Sequence, residues 1–170
     1  MRARLPILGL VAATLAVAGC DEGLPTAASR VLDVVFSAVP DPAVAQPSSG
    51  VTYVDDNGVM QEYDWEASIA LLLRTEQDQP NATIVNIGLN VQEAVEGIAV
   101  SPAVGEKVYY RFIPRATTNR LLAGEEVAIT FDVWYALPGE NTEALVAMNA
   151  TLQADAGFTV TEAVQVSVQP

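Results

Sequence analysis

Apolar and polar positions alternate along most of this chain, most plainly where Val127, Ile129, Phe131, Val133, Tyr135 and Leu137 are separated by Ala128, Thr130, Asp132, Trp134 and Ala136. Successive side chains of a strand point to opposite faces, so a two-residue period predicts a half-buried strand with its apolar face inward. The same period predicts a strand over residues 31–38, with Leu32, Val34 and Phe36 on one face. It recurs at Tyr63, Trp65, Ala67, Ile69, Leu71 and Leu73, and again at Thr83, Val85, Ile87, Leu89 and Val91. Val108, Tyr110 and Phe112 continue it. So do Ala144, Val146, Met148, Ala150 and Leu152, and finally Phe158, Val160, Val164, Val166 and Val168.

Turn chemistry punctuates these runs. Pro40-Asp41-Pro42 interrupts the first strand, which resumes over 43–45; proline cannot donate to a ladder, so this segment suits a sheet edge. Asn57-Gly58 lies between residues 51–54 and 59–62 and predicts a hairpin with a type I′ turn, its second arm running on through 63–74. Gly97, Pro102 and Gly105 restrict 92–106 to a loop with short β pieces, and 114–124 reads as a crossing loop. Strands at this spacing, without a sustained helical period, predict an all-β chain folded as a single antiparallel β-sandwich, with a small closed β-barrel as the alternative. The pattern over residues 31–168 resembles an immunoglobulin-like or fibronectin-III-like domain. It lacks the cysteine pair of antibody domains, and Trp65 would stand for the buried tryptophan of such sandwiches.

The first twenty residues follow a different pattern. Arg2 and Arg4 precede an apolar run from Leu5 to Ala18, which is too short for a membrane span of about 20 residues and fits a secretory signal. Val17-Ala18-Gly19-Cys20 resembles the lipobox of bacterial lipoproteins, with Val17 where that family more often has Leu. The resemblance implies that residues 1–19 are a cleaved lipoprotein signal peptide and that Cys20 is lipidated. Residues 20–30 would then be the acylated cysteine and a flexible tether, and 31–170 the β-sandwich domain. The protein would be exported and held to a bacterial envelope membrane through Cys20, periplasm-facing or at the cell surface.

Charge narrows the partners. The formal net charge is −13, and cleavage would remove two of the eight basic residues, so the exported domain repels nucleic acid. The sequence holds no histidine, which removes imidazole bases, Ser-His and Cys-His pairs and His-containing zinc sites. Lys107 is the only lysine and heads a strand-like run. Carboxylates, hydroxyls and a few arginines remain for chemistry.

Four groups of residues stand out. Asp55, Asp56 and Asn57, with Glu62 nearby, offer hard oxygen ligands to Ca²⁺, although the same residues explain a hairpin turn. Asp64 and Glu66 share one strand face, as a glycosidase acid and base would or as a solvated face would. Arg111, Arg115 and Arg120 could grip an anionic ligand or pair with the protein's own acids. Trp134 falls on the outward face of its strand by parity, as do Tyr109 and Arg111, and if their strands pair the three form an amphipathic patch of interface type. The alternative is that residues 40–47 cover Trp134 or that it strengthens the sheet through cross-strand pairing. Asn81 and Asn149 begin glycosylation-type triplets, which mean little in a bacterial lipoprotein. The expected function is a non-enzymatic, cofactor-free binding, adhesion or scaffold module acting on a protein or envelope polymer. The alternative is a small-ligand or Ca²⁺-binding envelope lipoprotein.

Overall fold

The computed structural model describes residues 32–170, so the expected signal peptide, Cys20, the whole tether over 20–30 and Val31 lie outside the described residues. Thirteen strands follow one another: β1 (Val34–Val39), β2 (Ala43–Val44), β3 (Gln46–Pro47), β4 (Thr52–Val54), β5 (Met60–Glu62), β6 (Trp65–Thr75) and β7 (Ala82–Val95). The second half adds β8 (Ile98–Val100), β9 (Tyr109–Ala116), β10 (Arg120–Leu121), β11 (Glu126–Ala136), β12 (Ala144–Ala154) and β13 (Thr159–Gln169).

One sheet runs β1-β6-β11-β9, with β3 also on β6; the other runs β10-β7-β12-β13-β2, with β8 on β7. No ladder joins them, so the molecule is a sandwich and not a closed barrel. Numbered by the seven long strands, the orders are those of the immunoglobulin ABED and CFG sheets. Strand A is divided at Pro40-Asp41-Pro42: β1 pairs with β6 in one sheet, and β2 pairs parallel with β13 in the other.

The core lies between the sheets. Ile69, Leu71 and Leu73 of β6 meet Ile129, Phe131, Val133 and Tyr135 of β11, and Val146, Met148 and Leu152 of β12 face them, all with no solvent exposure. Each large aliphatic chain buried in this way contributes about 1.5–3 kcal/mol. Parity therefore gives the inward faces of β6, β11 and β12 as expected.

Elsewhere the structure departs from the alternation. In β7 the expected inward residues Thr83 and Val85 are replaced by Ala82 and Ile84, while Leu89 and Val91 remain inward; Val85 is 50% exposed. The cause is a bulge, because Thr151 pairs with Asn86 but Leu152 pairs with Ile84. One extra residue flips every side chain beyond it to the other face. Trp65, expected in the core, begins its strand and is only half-buried against it. Tyr110, also expected inward, is 37% exposed, and Phe158, Val160 and Val164 are partly buried at the rim. Residues 92–100 complete a hairpin in which Glu96 and Gly97 both take positive φ, 52° and 75°. That is the requirement of a two-residue I′ turn. Finally, the expected loop over 114–124 is shorter, since β9 continues through Pro114. β9 is an edge strand, where a missing N–H leaves the ladder intact.

Candidate functional site

β11 carries the outward residues Thr130, Asp132 and Trp134 between two partners. Trp134 stands opposite Glu66 of β6 on one side and Arg111 of β9 on the other; Asp132 stands opposite Ser68 and Ile113. Register thus brings Trp134 and Arg111 together on the outer face of the first sheet. Tyr109 pairs with Ala136, two positions along.

Tyr109 has a different use. Its ring stacks on Tyr53 at 4.5 Å, Tyr53 lies 4.8 Å from Tyr63, and the Tyr109 hydroxyl accepts from the Asp56 N–H at 3.2 Å. The three tyrosines fasten the β4–β5 hairpin beside the outer face. Burial raises the phenol pKa values of Tyr53 and Tyr63. Alternation places Tyr63 on the inward face, and it is buried; Tyr53 goes unseen because a short hairpin arm gives too few positions to show which face is covered.

On the free part of the face, Arg111, Ile113 and Arg115 line up along β9, with Ile113 39% exposed. Arg115 forms an ion pair with Asp132, which also accepts from the Ser68 hydroxyl at 3.2 Å. Arg111 has no carboxylate within ion-pair distance among the described residues. Beside this strip lies a groove of about 380 Å³ lined by Val44, Gln46, Glu66, Ala67, Ser68, Asp132 and Trp134. Its volume is at the lower end of small-ligand pockets. The Trp134 indole N–H donates to Glu66 at 3.0 Å, which fixes the ring. Val44 and Gln46 wall the groove without closing it, so residues 40–47 flank Trp134 and leave it half-buried.

The acidic hairpin tip is committed to its own turn. Asp55 Oδ1 accepts the N–H groups of Asn57 at 2.9 Å and Val59 at 2.8 Å, and the Val59 bond leads in holding this carboxyl below its usual range. The expected I′ turn is not formed. Asp55 N–H donates to the Val59 carbonyl, Gly58 N–H to that of Asp55, and only Gly58 takes positive φ, at 79°. This is the three-residue loop with a glycine bulge. Asp56 pairs with Lys107, and the hydrogen bond raises the lysine pKa. No three metal-ligating side chains converge among the described residues. Asp64 precedes β6 and so does not share a strand face with Glu66 as expected; burial raises its pKa, while Glu66 is held by Trp134.

Arg120 completes the arginine set at the opposite sheet, bonded to Thr83 Oγ1 at 2.8 Å and paired with Asp155. Two of the three arginines thus bind the protein's own acids. Glu143, unnoticed in the sequence, gathers the Gly97 N–H at 2.7 Å, Ser167 Oγ at 3.0 Å and Gln169 Nε2 at 3.3 Å. Desolvation pushes its pKa up, and these hydrogen bonds, led by that from Gln169, outweigh it and set the pKa below the usual range. No helix among the described residues is long and apolar enough to cross a membrane. No protein-family model matches the chain, and no curated protein or solved structure compared with it matches significantly.

Proposed function

We propose that this is a lipid-anchored, non-enzymatic envelope protein whose β-sandwich serves as a binding, adhesion or scaffold module. The observation that carries the reading is the strip Trp134–Arg111–Ile113, an aromatic, a cation without a carboxylate partner among the described residues and an exposed aliphatic on one rigid sheet face. Tryptophan and arginine are the side chains most enriched at binding hot spots, and strands hold them without loop entropy. Of the candidate carboxylates, Asp55 is tied to its own turn, Asp56 to Lys107 and Glu66 to the Trp134 indole. The lipobox resemblance at Cys20 supplies the address.

Two measurements test this. Cys20→Ser should abolish acyl labelling and membrane retention of the mature-length chain; a variant that still sediments with membranes in that form refutes the anchor. A photoreactive residue at position 113, activated in intact envelopes, should give a discrete adduct that Arg111→Ala abolishes. An adduct insensitive to Arg111, or none, refutes the module. The groove beside Trp134 favours a second reading, a small polar ligand stacked on the indole. That reading requires saturable quenching of tryptophan emission that disappears in Trp134→Phe.

A further inference from the structure

The groove beside Trp134 owes its existence to the divided first strand. On β6 the last partner of β1 is Ala70, opposite Val39, and β3 resumes the pairing only at Glu66, opposite Gln46. Between them the chain crosses to β13 in the other sheet, so Ser68 has Asp132 of β11 on one side and, among the described residues, no paired strand on the other. The direction of its backbone groups can be read off. Thr75 N–H donates to the Glu125 carbonyl, and β6 and β11 keep one unbroken register, so odd-numbered residues of β6 exchange hydrogen bonds with β11 and even-numbered ones face the first strand. The Asp64 carbonyl, just before β6, faces that way, accepting from Ser48 N–H at 2.9 Å. Ser68 therefore turns a backbone N–H and a carbonyl into the groove of about 380 Å³ that it lines with Trp134, Glu66, Asp132 and Gln46.

The charges around this groove cancel. Glu66 accepts from the indole N–H through one oxygen, and its other oxygen has no hydrogen-bond partner among the described residues. Asp132 is paired with Arg115, and Arg111 stands opposite Trp134 on the side away from Glu66. Two carboxylates and two guanidiniums thus balance on this face of a chain whose formal net charge is −13. A cationic or an anionic ligand would meet like charge as closely as opposite charge here. An apolar ligand would bury the Ser68 backbone groups and the free Glu66 oxygen without partners. A peptide strand needs a run of free ladder positions, and only Ser68 is free between Glu66 and Ala70.

We propose that this groove holds a pyranose unit of an uncharged glycan, a proposal that rests on the outer face of the first sheet being the binding surface of the module. A pyranose presents a C–H face that stacks on an aromatic ring, and its rim of hydroxyls both donates and accepts. The Trp134 indole, oriented by Glu66, supplies the platform. Ser68 N–H and carbonyl, the Gln46 amide and the free Glu66 oxygen supply donors and acceptors of both kinds at its margin. An aromatic wall with a few placed polar groups is the make-up of a small-ligand site.

Two-dimensional ¹⁵N spectra of the full chain, held in a detergent without a sugar headgroup, test the proposal. The reporters are the Trp134 indole N–H, assigned from its absence in Trp134→Phe, and the Ser68 amide. The probes are cellotetraose, chitotetraose, maltotetraose and mannotetraose, with tetragalacturonate and tetralysine as charged counterparts. At least one neutral probe should move both reporters saturably, and the charged probes should move neither. Trp134→Ala should weaken that binding by about tenfold or more. Gln46→Ala, at an exposed wall position, should weaken it severalfold with the melting temperature unchanged. Neutral probes that leave both reporters in place at about 10 mM, charged probes that move them as far, or a shift that survives Trp134→Ala overturn the proposal. The photoreactive residue at position 113 reports separately. An Arg111-dependent adduct without any saccharide response overturns the glycan and leaves the module standing, whereas loss of both overturns the two together.

Discussion

Tyr135 offers a sharp test, because removing an atom from the core should stabilise the protein. Its side chain has no solvent exposure, it stands between Trp65 and Tyr110 in register, and its hydroxyl has no hydrogen-bond partner. A buried hydroxyl that loses water without replacement costs about 1–3 kcal/mol. Tyr135→Phe removes that cost, keeps the ring, and leaves a void of roughly 10 Å³, worth only ~0.2 kcal/mol at the measured cavity coefficient. The variant should therefore be more stable by about 1–3 kcal/mol, a rise in melting temperature of several degrees for a domain of this size. Urea titration with an unchanged m value is the assay. High pH supplies an independent readout. Burial pushes the Tyr135 phenol up from its ordinary value, so above pH about 10 the unfolded chain loses this proton before the native chain does, and native stability falls as pH rises. The gap between variant and parent should widen above pH 10. A destabilised Tyr135→Phe, or a gap independent of pH, refutes the orphan hydroxyl.

Other perturbations follow from particular contacts. Ile84→Ala should cost about 2–5 kcal/mol and Val85→Ala less than about 0.5, the reverse of what unbroken alternation requires; chemical denaturation decides. Trp134→Phe should lose about 0.5–1.5 kcal/mol with its bond to Glu66, and Glu66→Gln should lose less, because an amide oxygen still accepts. Glu143 is held below its usual pKa by bonds that outweigh desolvation, so its contribution is present above the unfolded carboxyl value and lost as pH falls through the folded one; Glu143→Gln should flatten the acid limb of the stability curve. Asp55→Ala should destabilise the β4–β5 hairpin selectively, seen as faster amide exchange at Asn57 and Val59 with β11 unaffected.

Alternation made the long strands legible, because β6, β11 and β12 are eleven residues each and one face of each is buried, apart from Trp65 at the start of β6. A two-residue period also carries the outward set, which is why Trp134 and Arg111 could be assigned to one face before their strands were known to pair. The same rule failed at Val85, since a bulge leaves no compositional mark when its residues are as β-prone as their neighbours. It failed for Tyr109 because its cover comes from a hairpin 53 residues away in the chain. Asn57-Gly58 located its hairpin and misstated the turn: Asp55 at the head of the loop accepts two backbone N–H groups, and that selects the bulged form.

Pro40-Asp41-Pro42 bears on how a sandwich without a disulfide holds its two sheets together. Antibody-type domains cross-link the sheets covalently, and here Cys20 is the only cysteine and lies outside the described residues. The divided first strand does a comparable job with hydrogen bonds: β1 closes on Ala70 to Thr75 in one sheet, and after Pro40-Asp41-Pro42 β2 closes on Val168 and Gln169 in the other. Ala43 and Ala45, both buried, seat the crossing segment in the core, and Ala45 adds its bond to the Gln169 carbonyl. Proline is the residue suited to this crossing, because the chain must leave one ladder before joining the next, and of residues 40–42 only Asp41 keeps a backbone N–H to satisfy on the way.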